Sequence, residues 1–150
     1  DTKEAVIASI QLYEDEKRQS IESELKENIM KNPLNVFLKN KLAIFYINHD
    51  EFEKALAYFL EAKNIENNNL ITLINLGNLY LLKKDFLSAE LYYNSAYKLD
   101  ETNPGVLINF ARLYFEKQDK VKSREFFEKA QKLNADFVST FVELKKMIYN

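Results

Sequence analysis

One pattern recurs in this chain at a fixed spacing. Leu73, Leu76-Gly77, Tyr80, Ala89, Tyr93 and Ala96 are preceded by 34 residues by Leu42-Ala43, Tyr46, Ala55, Phe59 and Ala62. They are followed by 34 residues by Leu107, Phe110-Ala111, Tyr114, Ser123, Phe127 and Ala130. Within each copy the apolar residues have helical spacing. The central stretch Leu73–Asp100 reads as two amphipathic helices joined by the turn Lys83-Lys84-Asp85. Small residues such as Gly77 and Ala89 let the two helices cross closely, and large residues fill the space around them. One such hairpin cannot bury both of its faces, so it needs neighbours, and the chain supplies them. The fold class expected is all-α.

The hairpins are expected at Val36–Asn48 with Phe52–Ile65, Leu70–Leu82 with Phe86–Leu99, and Pro104–Glu116 with Val121–Leu133. Asn103 suits an N-cap, and Pro104 the first helical position, where a missing N–H costs nothing. Residues 2–31 hold two apolar stretches on either side of the polar run Glu14–Ser20. In the frame of the repeat, Ala5, Ala8-Ser9, Leu12, Ile21, Leu25 and Pro33 fall on the recurring positions. This predicts a degenerate first hairpin over 2–35. The alternative is one long helix, because the linking run contains no Gly, Pro or Asn. Asn32-Pro33 is a breaker in either case. Asp136 suits the N-cap of a closing helix, Phe137–Tyr149, which has no second helix after it and caps the array over 138–150.

These residues carry a resemblance. At this period, a large residue, Leu-Gly, Tyr, Ala, an aromatic and a second Ala are similar to the tetratricopeptide-repeat (TPR) family over Val36–Phe137. The sequence departs from that family's pattern in places: the first large position holds Lys39, Leu73 and Leu107, and the late proline is Asn67, Glu101 and Ala135. The resemblance implies a right-handed superhelical solenoid of antiparallel helix hairpins, with repeats at 36–69, 70–103 and 104–137 in one domain, 1–150. It also implies that the first helix of each hairpin lines a concave groove. The inward positions are then Asn40, Lys41, Ile44 and Ile47, followed by Ile74, Asn75, Asn78 and Leu81, and by Ile108, Asn109, Arg112 and Phe115. The closing helix would add Val142, Glu143 and Lys146. Asn75 and Asn109 stand at equivalent positions, where the family's asparagines often hold the backbone of an extended peptide. An amide side chain offers a donor and an acceptor together, which matches one peptide unit. The same residues also suit a bridge between neighbouring helices.

Composition narrows the partner. The net charge of −2 gives no electrostatic footprint for a nucleic-acid backbone. No run approaches the roughly 20 apolar residues of a membrane-spanning helix, so direct membrane insertion is not expected. With no cysteine, disulfide and thiol chemistry are excluded. The opening Asp1-Thr2-Lys3 has no initiator Met, as in a processed chain or a piece of a longer one. His49 is the sole histidine and is read as a solvated turn residue. No Cys/His cluster has zinc spacing and no glycine-rich phosphate loop is present. No catalytic constellation emerges, and neither a cofactor nor a metal is expected.

The reading is therefore a non-enzymatic protein–protein interaction scaffold that takes a peptide or helix of a partner protein, apolar or amphipathic, in its groove. Family members that grip acidic chaperone tails use Lys and Asn on one helix, Asn on the next, and Lys with Arg on the third, at places that here hold Asn40, Ile44, Asn75, Gly105 and Asn109. The cations a terminal carboxylate needs are missing from those places, so an acidic-tail clamp is not expected. The alternative is a structural or assembly subunit that uses its convex face or its ends. Tyr13, Tyr58, Tyr92 and Tyr97 would supply aromatic surface for such a contact.

Overall fold

The computed structural model describes residues 2–150; Asp1 lies outside the described residues. Among the described residues the chain is helical, with no strand: α1 Thr2–Lys31, α2 Val36–Ile47, α3 Phe52–Ile65, α4 Leu70–Leu82, α5 Phe86–Leu99, α6 Pro104–Glu116, α7 Lys120–Leu133, α8 Ala135–Ser139 and α9 Val142–Tyr149. It divides into two compact units, the first ending at Ile65 and the second spanning Glu66–Asn150.

In the first unit, α2 and α3 form a hairpin closed by Leu42, Ala43 and Tyr46 against Ala55, Phe59 and Ala62, all buried. Lys39 occupies the place that leucines hold in the other copies. Its stem is buried, and its Nζ reaches the Glu61 carboxylate at 2.6 Å, as a long cationic side chain can when its head finds a partner. The degenerate hairpin read over 2–35 does not form: α1 runs unbroken from Thr2 to Lys31. The run Glu14–Ser20 consists largely of good helix formers and contains no Gly, Pro or Asn, so the helix carries through it.

The second unit continues the hairpin plan. Leu73, Ala89, Tyr93 and Ala96 pack with Val106, Phe110, Leu113 and Tyr114 in one cluster. A second cluster joins Leu107, Ile108 and Ala111 to Phe127, Ala130, Val138, Leu144 and Ile148. Gly77 is required at its position, because a Cβ there would overlap the ring of buried Tyr93. Three stacked ring pairs repeat at the same period: Tyr46 on Tyr58, Tyr80 on Tyr92, and Tyr114 on Phe126. Tyr58 and Tyr92 are therefore engaged within their own hairpins.

The turns repeat as closely as the cores. Asp50, Lys84 and Gln118 each have φ near +60°. After each, the next N–H bonds back five residues: Glu51 to Tyr46, Asp85 to Tyr80 and Asp119 to Tyr114, all at 2.9 Å. The preceding bonds, Asp50 to Ile47, Lys84 to Leu81 and Gln118 to Phe115, complete the left-handed helix stop usually made with glycine. The side-chain oxygens of Asn35, Asn69, Asp85, Asn103 and Asp119 cap the helices that follow them.

The closing helix expected as Phe137–Tyr149 is two helices, and the N-cap is Asn134 in place of Asp136. The break has a local cause. Ser139 Oγ donates to Asp136 O and Thr140 Oγ1 donates to Phe137 O, both at 2.7 Å, offering the backbone carbonyls an alternative partner where the helix stops.

A candidate protein-binding cleft

Helices α4 and α6 are the first helices of two successive hairpins, and α9 follows them in the second unit. Together they enclose a cleft of about 560 Å³. Its apolar wall is Leu81, Leu82, Phe115, Leu144 and Met147; its polar members are Asn78, Lys84, Arg112, Glu116 and Glu143. Four of the residues expected to line a groove, Asn78, Leu81, Arg112 and Phe115, are brought together here, with Glu143 from the closing element.

The polar groups are held in place by specific contacts. The hydroxyl of Tyr93 donates to Asn78 Oδ1 at 2.7 Å, which fixes the amide and leaves its N–H groups as what Asn78 offers. Burial pushes the Tyr93 phenol far above its ordinary value, while the positive charge of Arg112 opposes this, so Tyr93 remains a hydrogen-bond donor. The Arg112 guanidinium lies over the Phe141 ring, 5.3 Å from its centroid. At the rim Lys84 pairs with Glu116 at 2.5 Å, and Glu143 pairs with Lys146 at 2.9 Å. The cleft is thus apolar with two donor groups, the Arg112 guanidinium and the Asn78 amide.

The position of α6 is secured on its other side. Tyr114 donates to Glu90 at 2.5 Å, and Lys117 reaches the same carboxylate at 2.8 Å. Lys117 first, and Tyr114 second, hold the Glu90 carboxyl below its usual range. Burial and then the Glu90 bond push the Tyr114 phenol up to about 12.

The remaining expected groove residues lie elsewhere or deeper. Ile108 is 1% exposed and belongs to the core cluster with Val138, Leu144 and Ile148, so it is spent on packing. Asn109 is buried at 8% exposure, whereas its equivalent Asn75 is half-buried. Ile74 is half-buried against the core around Val106 and Phe110. In the first unit, Asn40 is buried and donates to the Val36 carbonyl at 3.0 Å, while Lys41 and Ile44 are exposed on α2. Sequence reading missed Leu82, Lys84, Glu116, Leu144 and Met147. Leu82, Lys84 and Glu116 sit at helix ends and turns, just beyond the inward positions of the first helices. Leu144 and Met147 follow Glu143 on α9, whose register the break at Thr140 shifts.

His49 is half-buried in its turn, with Nδ1 2.7 Å from the Phe45 carbonyl and its ring against that of Phe45. Among the described residues, no group of three His, Cys, Asp or Glu side chains is placed to hold a metal, and no helix is long and apolar enough to cross a membrane.

Residues 71–103 and 104–137 match the model of the tetratricopeptide repeat family. Solved structures share the fold. A thermophilic TPR protein of Thermus thermophilus is similar at 16% identity, with 86% of this chain and 72% of that one covered and a TM-score of 0.78. The first TPR of Spaghetti (RPAP3), solved bound to the HSP90 peptide SRMEEVD, is 18% identical over 75% of this chain and 89% of its own, with a TM-score of 0.65. A chain of the APC/C hetero-tetramer Cut9-Hcn1 aligns at 18% identity and a TM-score of 0.73 over 81% of this chain, which spans 23% of that one. No curated protein matches in sequence.

Proposed function

For a chain that carries tetratricopeptide repeats, we propose a protein-interaction role in which the cleft of α4, α6 and α9 takes a peptide or helical segment of a partner protein. The observation that supports this most is the convergence of Asn78, Leu81, Arg112 and Phe115 on one cleft with apolar walls. The chemistry suits an apolar or amphipathic segment. Leu82 and Met147 are 54% and 47% exposed, and covering such side chains contributes about 1.5–3 kcal/mol each when burial is complete. Asn78 and Arg112 then hold acceptors on the segment, either backbone carbonyls or one carboxylate. An acidic tail fits poorly, because Lys84, the other cation of the cleft, is already paired with Glu116. The HSP90 peptide seen in the RPAP3 structure is thus not the occupant expected here.

A second reading, assembly through the outer face, draws support from Leu87, Leu91 and Val121, which are 81%, 64% and 78% exposed on second helices. Affinity capture from source-cell lysate separates the two. Wild type is compared with Leu82→Glu/Met147→Glu in the cleft and Leu87→Glu/Leu91→Glu on α5, all folded by circular dichroism. Cleft binding predicts that the first variant loses its partner at least tenfold while the second retains it. The opposite result assigns binding to the outer face.

A further inference from the structure

Residues 18–31 of α1 stand in the place of a second hairpin helix. In the repeat frame Leu25 is the counterpart of Phe59, Tyr93 and Phe127, and it is buried as they are. Tyr46 donates to Glu22 at 2.7 Å, the same bond that Tyr114 makes to Glu90 two repeats later. The first helix of that hairpin is also written in the sequence: Ala5, Ala8-Ser9 and Leu12 keep the frame. Because α1 continues straight, residues 3–17 are carried away from 18–31.

The consequence is a bare apolar surface. Val6, Leu12 and Tyr13 are 58%, 61% and 62% exposed. Their counterparts in the other hairpins are covered. Asn40 and Ile108, at the place of Val6, are buried; so are Tyr46 and Tyr114, at the place of Leu12. Leu81 and Phe115, at the place of Tyr13, are half-buried. A half-helix of this length without a packing partner is marginal in water.

We propose that two copies of this chain exchange these segments. Residues 3–17 of one copy lie antiparallel along residues 18–31 and α2 of the other, and reciprocally, which closes a two-fold dimer. Each copy thereby completes the first hairpin of its partner with the contact the chain already uses within its own later hairpins. Ser9 stands opposite Leu25 of the second copy, as Gly77 stands opposite Tyr93. In this register Glu16 comes beside Arg18 of the other chain, while Lys17 faces Lys17 at the axis and Lys3 faces Lys31, so the fit is made by the apolar contact and not by charge.

Engineered cysteines give a direct test, since the chain has none of its own. In Ala5→Cys/Asn28→Cys the two positions of one straight helix lie about 35 Å apart. That is far beyond the roughly 7 Å a disulfide spans, so only a second chain can bridge them. Mild oxidation is expected to give covalent dimers, and wild type is expected to sediment at twice the chain mass. Val6→Glu/Leu12→Glu alters only exposed residues and is expected to give a folded monomer. The proposal is overturned by a monomeric wild type, by a bridge within one chain, by bridging of Ala5→Cys alone, or by a Val6→Glu/Leu12→Glu protein that stays dimeric.

Discussion

Helices α1 and α6 make opposite use of their residues. α1 has 30 residues and, among the described residues, buries only Leu25, whereas α6 has 13 and buries eight. α6 is the more apolar of the two, yet α1 also carries Val6, Ile7, Ile10, Leu12 and Tyr13 and leaves them exposed. Their neighbours differ as well: α6 packs against α4, α5, α7 and α8, while α1 packs on α2. Helix length and propensity therefore say little about where stability resides in this chain. Tertiary cover on each side of a helix decides it.

The largest effect expected from a substitution falls in α6. Phe110 is 3% exposed and meets the rings of Tyr93, Tyr97, Tyr114 and Phe126. Phe110→Ala should cost about 3–5 kcal/mol in urea denaturation. A loss below about 1 kcal/mol, within the range of an ordinary substitution, would end the contrast drawn here. Next comes Gly77→Ala in α4. Alanine favours a helix by about 1 kcal/mol over glycine, yet its Cβ overlaps the Tyr93 ring. A net destabilisation of about 1–3 kcal/mol is expected, and a gain in stability would show that the two helices separate freely. The smallest effect belongs to α1. At concentrations where the chain is monomeric, Ile10→Ala, at a site 57% exposed, should leave the midpoint within about 0.5 kcal/mol of wild type. A cost comparable to that of Phe110→Ala would mean that this half of α1 is covered in the monomer.

The sequence was most legible where its period is intact. The limits of α4 and α5 follow from Asn69, Asp85 and the Lys83-Lys84 turn, and the structure has them at the expected residues. Legibility failed at both ends, where local chemistry outweighs the frame. Glu14–Ser20 carries no Gly, Pro or Asn, and Ser139-Thr140 stops a helix that periodicity alone would continue. The candidate site shows the same boundary. A 34-residue frame fixes which side of a helix a residue occupies, but not how deeply its neighbours cover it. Ile74 and Ile108 share one position, yet Ile74 is half-buried and Ile108 lies beneath Val138, Leu144 and Ile148. The depth comes from α8 and α9, whose arrangement the repeat does not encode.

The six-residue turns that close each hairpin have a consequence for kinetics. They bring together helices that are adjacent in the chain, and most of the packing within each unit is of this kind, α2 with α3, α4 with α5, α5 with α6 and α6 with α7. Little chain entropy is lost before a native contact forms, so the search for the folded state is short and can begin in any hairpin. A refolding phase that is slow and quickens with protein concentration would therefore report the meeting of two chains, because nothing in the topology of one chain needs that long.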